Sequence, residues 1–439
     1  MKKISFFILL FCFSILIPNA TLQAQLSASQ LDTLIQNSLK KFNVAGVAIA
    51  IVKDGKIFYE KGFGVKSIAT NSTVDVHTNF QIASNSKAFT TAALSILVDE
   101  KKIAWKDKVR DYLPEFKMYN DYVTENFLME DLLCHRSGLG LGAGDLMDFP
   151  DGTDFTIKDK LTFAQYFKPT SAFRTQFDYD NQLYMVAGEL IARVSGMTWE
   201  KFVQTRILDP LQMSNSFSAL EAMKDKSNMS KPHSTSTGKI RTIDWFEERI
   251  NGAAGGIVSN VDEMSKWMIK QLNKGKYGSE LNKHIFTEAR QKEMWTIHTV
   301  LPASDFPRYN QHFSGYGYAW DLEDIKGNLQ VSHTGGLPGM FTSVTLIPDL
   351  KLGIVILTNT ENGGGGLFSA VRQTIIDSYI GLDDFGWVEK YSQGMEANAS
   401  SADSVTAKVW QTVAAAKNTK INAANYTGVY EDKCHQYIN

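Results

Sequence analysis

Ser84-Asn85-Ser86-Lys87 sets a hydroxyl and an amine three residues apart, which on a helix is one turn along the same face. Where such a serine begins a helix, its backbone N–H is free, and the helix dipole favours negative charge on an attacking or acylated oxygen. A partly buried lysine there has an accessible neutral form that can take the hydroxyl proton. The spacing alone is common, and Ser38 to Lys41 and Ser236 to Lys239 repeat it. Context separates Ser84. It follows the apolar extended run Phe80-Gln81-Ile82-Ala83 and precedes Phe89, Ala92, Ala93, Ile96 and Leu97, which share one helical face. A capping serine with a surface lysine is the plainer alternative.

Tyr179-Asp180-Asn181 stands before a second amphipathic run, Leu183, Val186, Ala187, Leu190, Ile191 and Val194, closed by Gly196. A phenol near a cationic lysine loses its proton more easily and can act as base, then as acid for a leaving group. Asn181 carries both a donor and an acceptor, suited to holding Lys87 or a substrate amide. A core tyrosine beside a capping Asp or Asn is the other reading, and the spacing recurs at Tyr437 to Asn439. The third candidate, His333-Thr334-Gly335-Gly336, follows apolar Leu329 to Val331. Glycines on a strand edge let a substrate backbone come close. A backbone N–H there can join that of Ser84 to form an oxyanion hole. The alternative is a strand-to-loop turn with an incidental histidine.

In this order and at these separations, the three elements resemble the serine beta-lactamase and penicillin-binding-protein superfamily, nearest its class C branch; Ser-x-x-Lys is among that superfamily's marks. The resemblance runs from about Val44 to Asn359. It includes Leu132-Leu133-Cys134-His135-Arg136-Ser137-Gly138-Leu139, Asp209-Pro210-Leu211-Gln212-Met213 and Asn251-Gly252-Ala253-Ala254-Gly255-Gly256-Ile257-Val258-Ser259. It implies Ser84 as the acylated serine, Lys87 as its lysine, Tyr179 and Asn181 as the second element, and His333, Thr334, Gly335 and Gly336 as the third. It further implies an oxyanion hole from the amides of Ser84 and Gly336. The implied fold is a mixed, antiparallel sheet flanked by helices beside an all-helical lobe. Lysine usually stands where this chain has His333 and helps bind a substrate carboxylate. Histidine is a weaker, pH-dependent cation, which leans the reading toward peptidase- or esterase-like members.

The elements that must position these residues read as α+β. A helix over Ser29 to Phe42 is followed by a hairpin through Asp54-Gly55, and strands return from Tyr316 to Thr358 with a second hairpin at Pro348-Asp349. Helices lie between, including one over Met264 to Leu272. Strands at both ends with helices between predict one sheet closed by distant segments. Residues 25–385 are expected to form the hydrolase domain. Residues 386–425 read as a linker with a helix around Val405 to Ala416, and 426–439 as the start of a cut-short β-rich domain.

Lys2 and Lys3, the apolar run Ile4 to Ile17, and small Ala24 read as an export signal over 1–24, too short to span a bilayer. The expected location is therefore periplasmic or extracellular, with no membrane span once the signal is removed. The net charge of −2 gives no basic face for nucleic acid. Cys134 and Cys434 do not make a disulfide framework. There is no Gly-x-Ser-x-Gly elbow, and no His pair at zinc-ligand spacing. His135, flanked by Leu-Leu and Ser-Gly, reads as a structural histidine rather than a base. The expectation is an exported serine hydrolase that acylates Ser84 and cleaves amide, peptide or ester bonds in a small-molecule or peptide substrate, without metal or cofactor. The alternative is a slowly deacylating or non-catalytic sensor of beta-lactams or cell-wall peptides. Acyl donor and oligomeric state are left open.

Overall fold

The computed structural model describes residues 25–149, 154–236, 238–247, 252–416, 422–428, 430–432 and 436–438. The signal read at 1–24, Cys434 and Asn439 lie outside the described residues. Helix α1 (Ala28–Lys41) is opened by a capping box between Ser27 and Gln30, and buries Leu31 and Ile35. Strands β1 (Gly46–Lys53) and β2 (Lys56–Ser67) pair antiparallel around Asp54-Gly55. Both turn residues have positive φ, 52° and 76°, as a two-residue type I′ turn demands.

Helices α2 (Lys87–Asp99), α3 (Gln182–Ser195) and α4 (Val261–Leu272) follow, with α5 (Gly363–Tyr379) and α6 (Trp387–Ala416) after the second strand block. β3 (Ser72–Thr73), β4 (Thr299–Leu301), β5 (Ser314–Tyr316), β6 (Asp321–Ile325), β7 (Asn328–Leu337), β8 (Met340–Ile347) and β9 (Leu352–Thr358) join β1 and β2 in a nine-stranded sheet. Its order is β4-β5-β6-β7-β8-β9-β1-β2-β3, and every pairing is antiparallel. The two ends of the domain meet at β1 and β9, where Ile49 stands opposite Ile356.

The central strands are apolar on both faces, so both faces are covered. Val47, Ile49 and Ile51 join Ile354 and Ile356 in a core beneath α1 and α5. Ala48, Ala50 and Val52 join Val355 and Leu357 on the opposite face, which packs on α4 and the helical lobe. Strand alternation alone divides them.

Two elements differ from the pattern read in sequence. α2 is buried on all sides from Lys87 to Leu97, not on one face, because Thr90, Thr91 and Ser95 are small enough to pack inside the lobe. Thr90 also donates to the Ala253 carbonyl at 2.6 Å, satisfying its hydroxyl there. α6 begins at Trp387, well before Val405. Trp387 is buried among Phe306, Tyr309 and Phe385 and donates to Asp377 at 2.7 Å. This tertiary anchor starts the helix in an Ala-, Ser- and Asn-containing stretch read as a linker. Tyr430–Asp432 pairs antiparallel with Gln436–Ile438. Among the described residues no helix is long and apolar enough to cross a membrane.

Candidate active site

Ser84 lies in the 3-10 turn Ala83–Ser86 that leads into α2. The turn hangs from a two-residue strand, Phe80–Gln81, paired with Val258–Ser259, and from the Ile82 amide, which donates to Ile257 O at 2.9 Å. Ala83 has φ +51°, a left-handed conformation that an alanine adopts at a cost of about 1 kcal/mol. The surroundings hold it there. Thr342 of β8 donates to Ile82 O at 2.8 Å, and Asn85 Nδ2 donates to the Thr342 hydroxyl at 2.8 Å. The middle residue of the Ser-x-x-Lys motif nearest the serine thus ties the turn to the sheet.

Lys87 is fully buried, and its Nζ has three acceptors: Ser84 Oγ at 3.1 Å, Asn181 Oδ1 at 2.8 Å and Ala254 O at 2.9 Å. These match the three hydrogens of an ammonium. Tyr179 Oη donates to Ser84 Oγ at 2.9 Å. The second motif divides its labour at the start of α3. Asp180 caps the helix, accepting from the Leu183 amide at 3.1 Å, while Tyr179 and Asn181 on either side reach Ser84 and Lys87. The tripeptide thus caps the helix with one residue and contacts Ser84 and Lys87 with the two beside it.

The third motif lies inside β7 rather than after it. Alternation sends His333 and Gly335 inward and leaves Thr334 and Gly336 exposed. Gly335 packs on the serine turn: a Cβ there would overlap Ile82 O and the Thr342 hydroxyl. β6 pairs with β7 only from Asn328 to Ser332, so from His333 to Leu337 the strand has β8 on one side and an open edge on the other. His333 does not bond to Ser84 or Lys87. Its Nε2 pairs with Tyr316 Oη at 2.9 Å and its Nδ1 lies 2.6 Å from Thr334 O. Burial, with the charge of Lys87 behind it, pulls its pKa down to about 3, so the ring is neutral and supplies no cation.

His135 packs against the Tyr179 ring, tilted by 35° with centroids 4.2 Å apart, and its Nδ1 accepts from the Asp180 amide at 3.1 Å. Burial and then the charge of Lys87 hold its pKa well below the ordinary histidine value. It supports the phenol from below. Burial likewise raises Asp180 to about 7. Asp145 accepts from Asn181 Nδ2 at 3.3 Å, which orients the amide so that Oδ1 faces Lys87. Among the described residues no group of three His, Cys, Asp or Glu side chains could hold a metal ion.

Four contributors escaped the sequence reading. Ala254 O lay within the quoted Asn251 to Ser259 stretch, but a carbonyl leaves no mark on residue type. Thr342, Tyr316 and Asp145 sit in unremarkable surroundings and reach the site only through sheet pairing or the fold of the lobe. The rival Ser38 of the Ser38 to Lys41 repeat spends its hydroxyl on Leu34 O at 2.7 Å within α1.

The Beta-lactamase family model matches residues 31–374. Among curated proteins, the chain is 25% identical over 381 residues to the Unguisins hydrolase ungD of Aspergillus violaceofuscus (strain CBS 115571), covering 82% of this chain and 66% of that protein. It is 27% identical over 348 residues to Protein flp of Staphylococcus aureus (strain MRSA252), covering 76% and 64%. The chain therefore spans just under two thirds of the length of these relatives. Among solved structures, the octameric penicillin-binding protein homologue from Pyrococcus abyssi superposes with TM-score 0.70 at 22% identity, over 82% of this chain and 78% of that one. The penicillin binding protein from Bacillus halodurans gives 0.64 at 21% identity, over 77% and 98%. The two structures share the fold, and the family match covers the sheet, the helical lobe and all three motifs: the chain belongs to the beta-lactamase family, within a superfamily of serine hydrolases.

Proposed function

We propose that this protein is an exported serine hydrolase that forms an acyl-enzyme on Ser84 and cleaves an amide, peptide or ester bond. The observation that carries the reading is that Ser84 Oγ is met by both Lys87 Nζ at 3.1 Å and Tyr179 Oη at 2.9 Å at the mouth of a buried helix. Lys87 and Tyr179 both meet Ser84 Oγ, and whichever of the two is deprotonated takes the Ser84 proton as the oxygen attacks. Ser84 Oγ bonds to the substrate carbonyl carbon, and the tetrahedral oxyanion faces the amides of Ser84 and Gly336, each worth about 3 kcal/mol. The Lys87–Tyr179 pair returns that proton to the leaving nitrogen or oxygen as its bond breaks, and water then releases the acyl group. An extended substrate segment fits the open edge of β7 at 333–337 as an added strand.

The neutral His333 favours acyl donors without a free carboxylate at that position, hence peptide, amide or ester substrates over carboxypeptidase or classical beta-lactam turnover. A relative that bears the name hydrolase supports turnover over sensing. Export to the periplasm or beyond rests on residues 1–24 and is read out by cell fractionation. The test of the chemistry is labelling of parent and Ser84→Ala protein with a fluorophosphonate and a fluorescent penicillin, followed by turnover of nitrophenyl esters, D-amino-acid peptides and a chromogenic cephalosporin. Loss of label in Ser84→Ala with turnover by the parent is expected. Full labelling of the alanine variant removes Ser84 as nucleophile, and labelling without turnover makes the protein a sensor.

A further inference from the structure

We infer that His333 is a specificity-determining residue: its imidazole caps the Thr334 carbonyl on the open edge of β7, so the enzyme selects acyl donors whose leaving group carries no N–H at its second unit. A simple alcohol, a simple amine, or one residue followed by an ester meets that requirement. A longer peptide does not. The inference rests on Ser84 as the nucleophile and on the Gly336 amide in the oxyanion hole.

Strand geometry fixes which peptide groups face the open edge. β6 and β7 are joined through Lys326-Gly327, with Ile325 opposite Asn328. β7 and β8 are joined through Pro338-Gly339, with Leu337 opposite Met340. The pair that closes a two-residue hairpin is hydrogen-bonded, and bonded pairs then alternate along the strand. Counting back from Leu337, the odd-numbered residues of β7 bond toward β8. Counting on from Asn328, the even-numbered ones face β6 and, past Ser332, the open edge. Leu329 agrees with this parity: its amide donates to Asp349, just beyond the end of β8, at 2.8 Å. The open edge therefore presents the N–H and C=O of Thr334 and of Gly336.

His333 acts on one of these four groups. Its Nδ1 lies 2.6 Å from Thr334 O, and a carbonyl oxygen only accepts, so Nδ1 carries the ring hydrogen and donates it. Nε2 is then the bare nitrogen and accepts from Tyr316 Oη at 2.9 Å. Tyr316 is buried, and its hydroxyl holds the ring in this tautomer and orientation. A further donor at Thr334 O has to share the oxygen with a bond already made inside the protein, which shrinks the gain from making it.

A substrate that continues the place of β6 along this edge runs antiparallel to β7, as β6 does. The acyl residue then faces Gly336, with its carbonyl on the Gly336 amide and its own N–H toward Gly336 O. Two positions on, the second unit of the leaving group faces Thr334. An N–H there points at the oxygen that His333 already occupies. A leaving group with no N–H at that position forgoes nothing.

The experiment uses two acyl esters of lactic acid that differ at one atom, one ending in a methylamide and the other in a methyl ester. Cleavage between acyl group and lactate is followed by mass spectrometry. The parent is expected to hydrolyse the two with kcat/KM within about twofold of each other. His333→Ala uncovers Thr334 O and is expected to favour the methylamide by about fivefold or more, the worth of one recovered hydrogen bond. Both substrates are compared on one sample, so the folded fraction cancels. A preference in His333→Ala no larger than in the parent overturns the inference. Independently, long-range ¹⁵N–¹H spectra of the parent, with His333→Gln to assign the resonance, are expected to show the Nδ1–H tautomer from pH 5 to 8; the Nε2–H tautomer overturns the cap. Failure of the nucleophile reading shows separately, as labelling that survives Ser84→Ala.

Discussion

Gly335 of β7 lies against Ala83, the residue before the candidate nucleophile, so closely that a Cβ on Gly335 would stand 3.0 Å from the Ala83 Cβ and overlap Ile82 O. The sheet therefore sets the position of the serine turn through a glycine with no room for a methyl group. Gly335→Ala is expected to push the turn away from β7, lowering fluorophosphonate labelling rates by about 100-fold with a stability loss of about 1–3 kcal/mol. Gly336→Ala, with its nearest neighbour at 3.4 Å, is expected to melt within about 1 kcal/mol of the parent. Labelling kinetics and melting curves of the pair check this; equal behaviour of the two variants would refute it.

Tyr179→Phe separates chemistry from packing. The ring keeps its contact with His135 at 4.2 Å, and only the hydrogen bond to Ser84 is lost. Stability should change by about 1 kcal/mol or less. Ester turnover should fall by about 10²- to 10⁴-fold, the usual scale for a positioned acid–base group. A variant with near-parental kcat would leave Lys87 as the proton acceptor.

His333 titrates far below its ordinary 6.5, at about 3 when folded. The folded state thus binds fewer protons than the unfolded state between these values, and stability falls as pH is lowered through that window. The slope from this one group is about 1.4 kcal/mol per pH unit. Asp180 and Asp321, raised to about 7 by burial, act in the opposite sense, but equally in parent and variant. His333→Gln keeps a polar partner for Tyr316 and removes the titration. Between pH 7 and pH 5 its stability relative to the parent should improve by about 2 kcal/mol, read from urea midpoints. A difference independent of pH would show that His333 titrates alike in the folded and unfolded chain.

Lys270 of α4 is a buried amine with no hydrogen-bond partner among the described residues, its Nζ 3.9 Å from the Trp267 ring centre and 3.8 Å from that of Phe286. Burial drives its pKa well below the ordinary lysine value. The unfolded chain therefore holds the extra proton, and the parent gains stability as pH rises toward about 10.4. Lys270→Met fills the same space without that cost and should stabilise the fold by about 1–2 kcal/mol at pH 7. The advantage should shrink toward pH 10, and differential scanning calorimetry at the two pH values checks it.

Much of this was legible in residue order. Asp54-Gly55 specifies its turn because two adjacent positive-φ positions admit few residue types, and Ser84, Lys87, Tyr179 and Asn181 declare themselves by side chains that can do chemistry next to helix starts. Such local signals need only their neighbours. The role of His333 was not legible, because its charge depends on burial beside Lys87 and on Tyr316, which β5 brings to it. Ala254 contributes a carbonyl, a group every residue has, and Trp387 starts a helix in a polar stretch because an aromatic pocket from elsewhere receives it. Sequence determined which groups are present and the local turns that carry them. Tertiary structure alone decided which of them meet and which are charged, since desolvation and distance are properties of the folded interior.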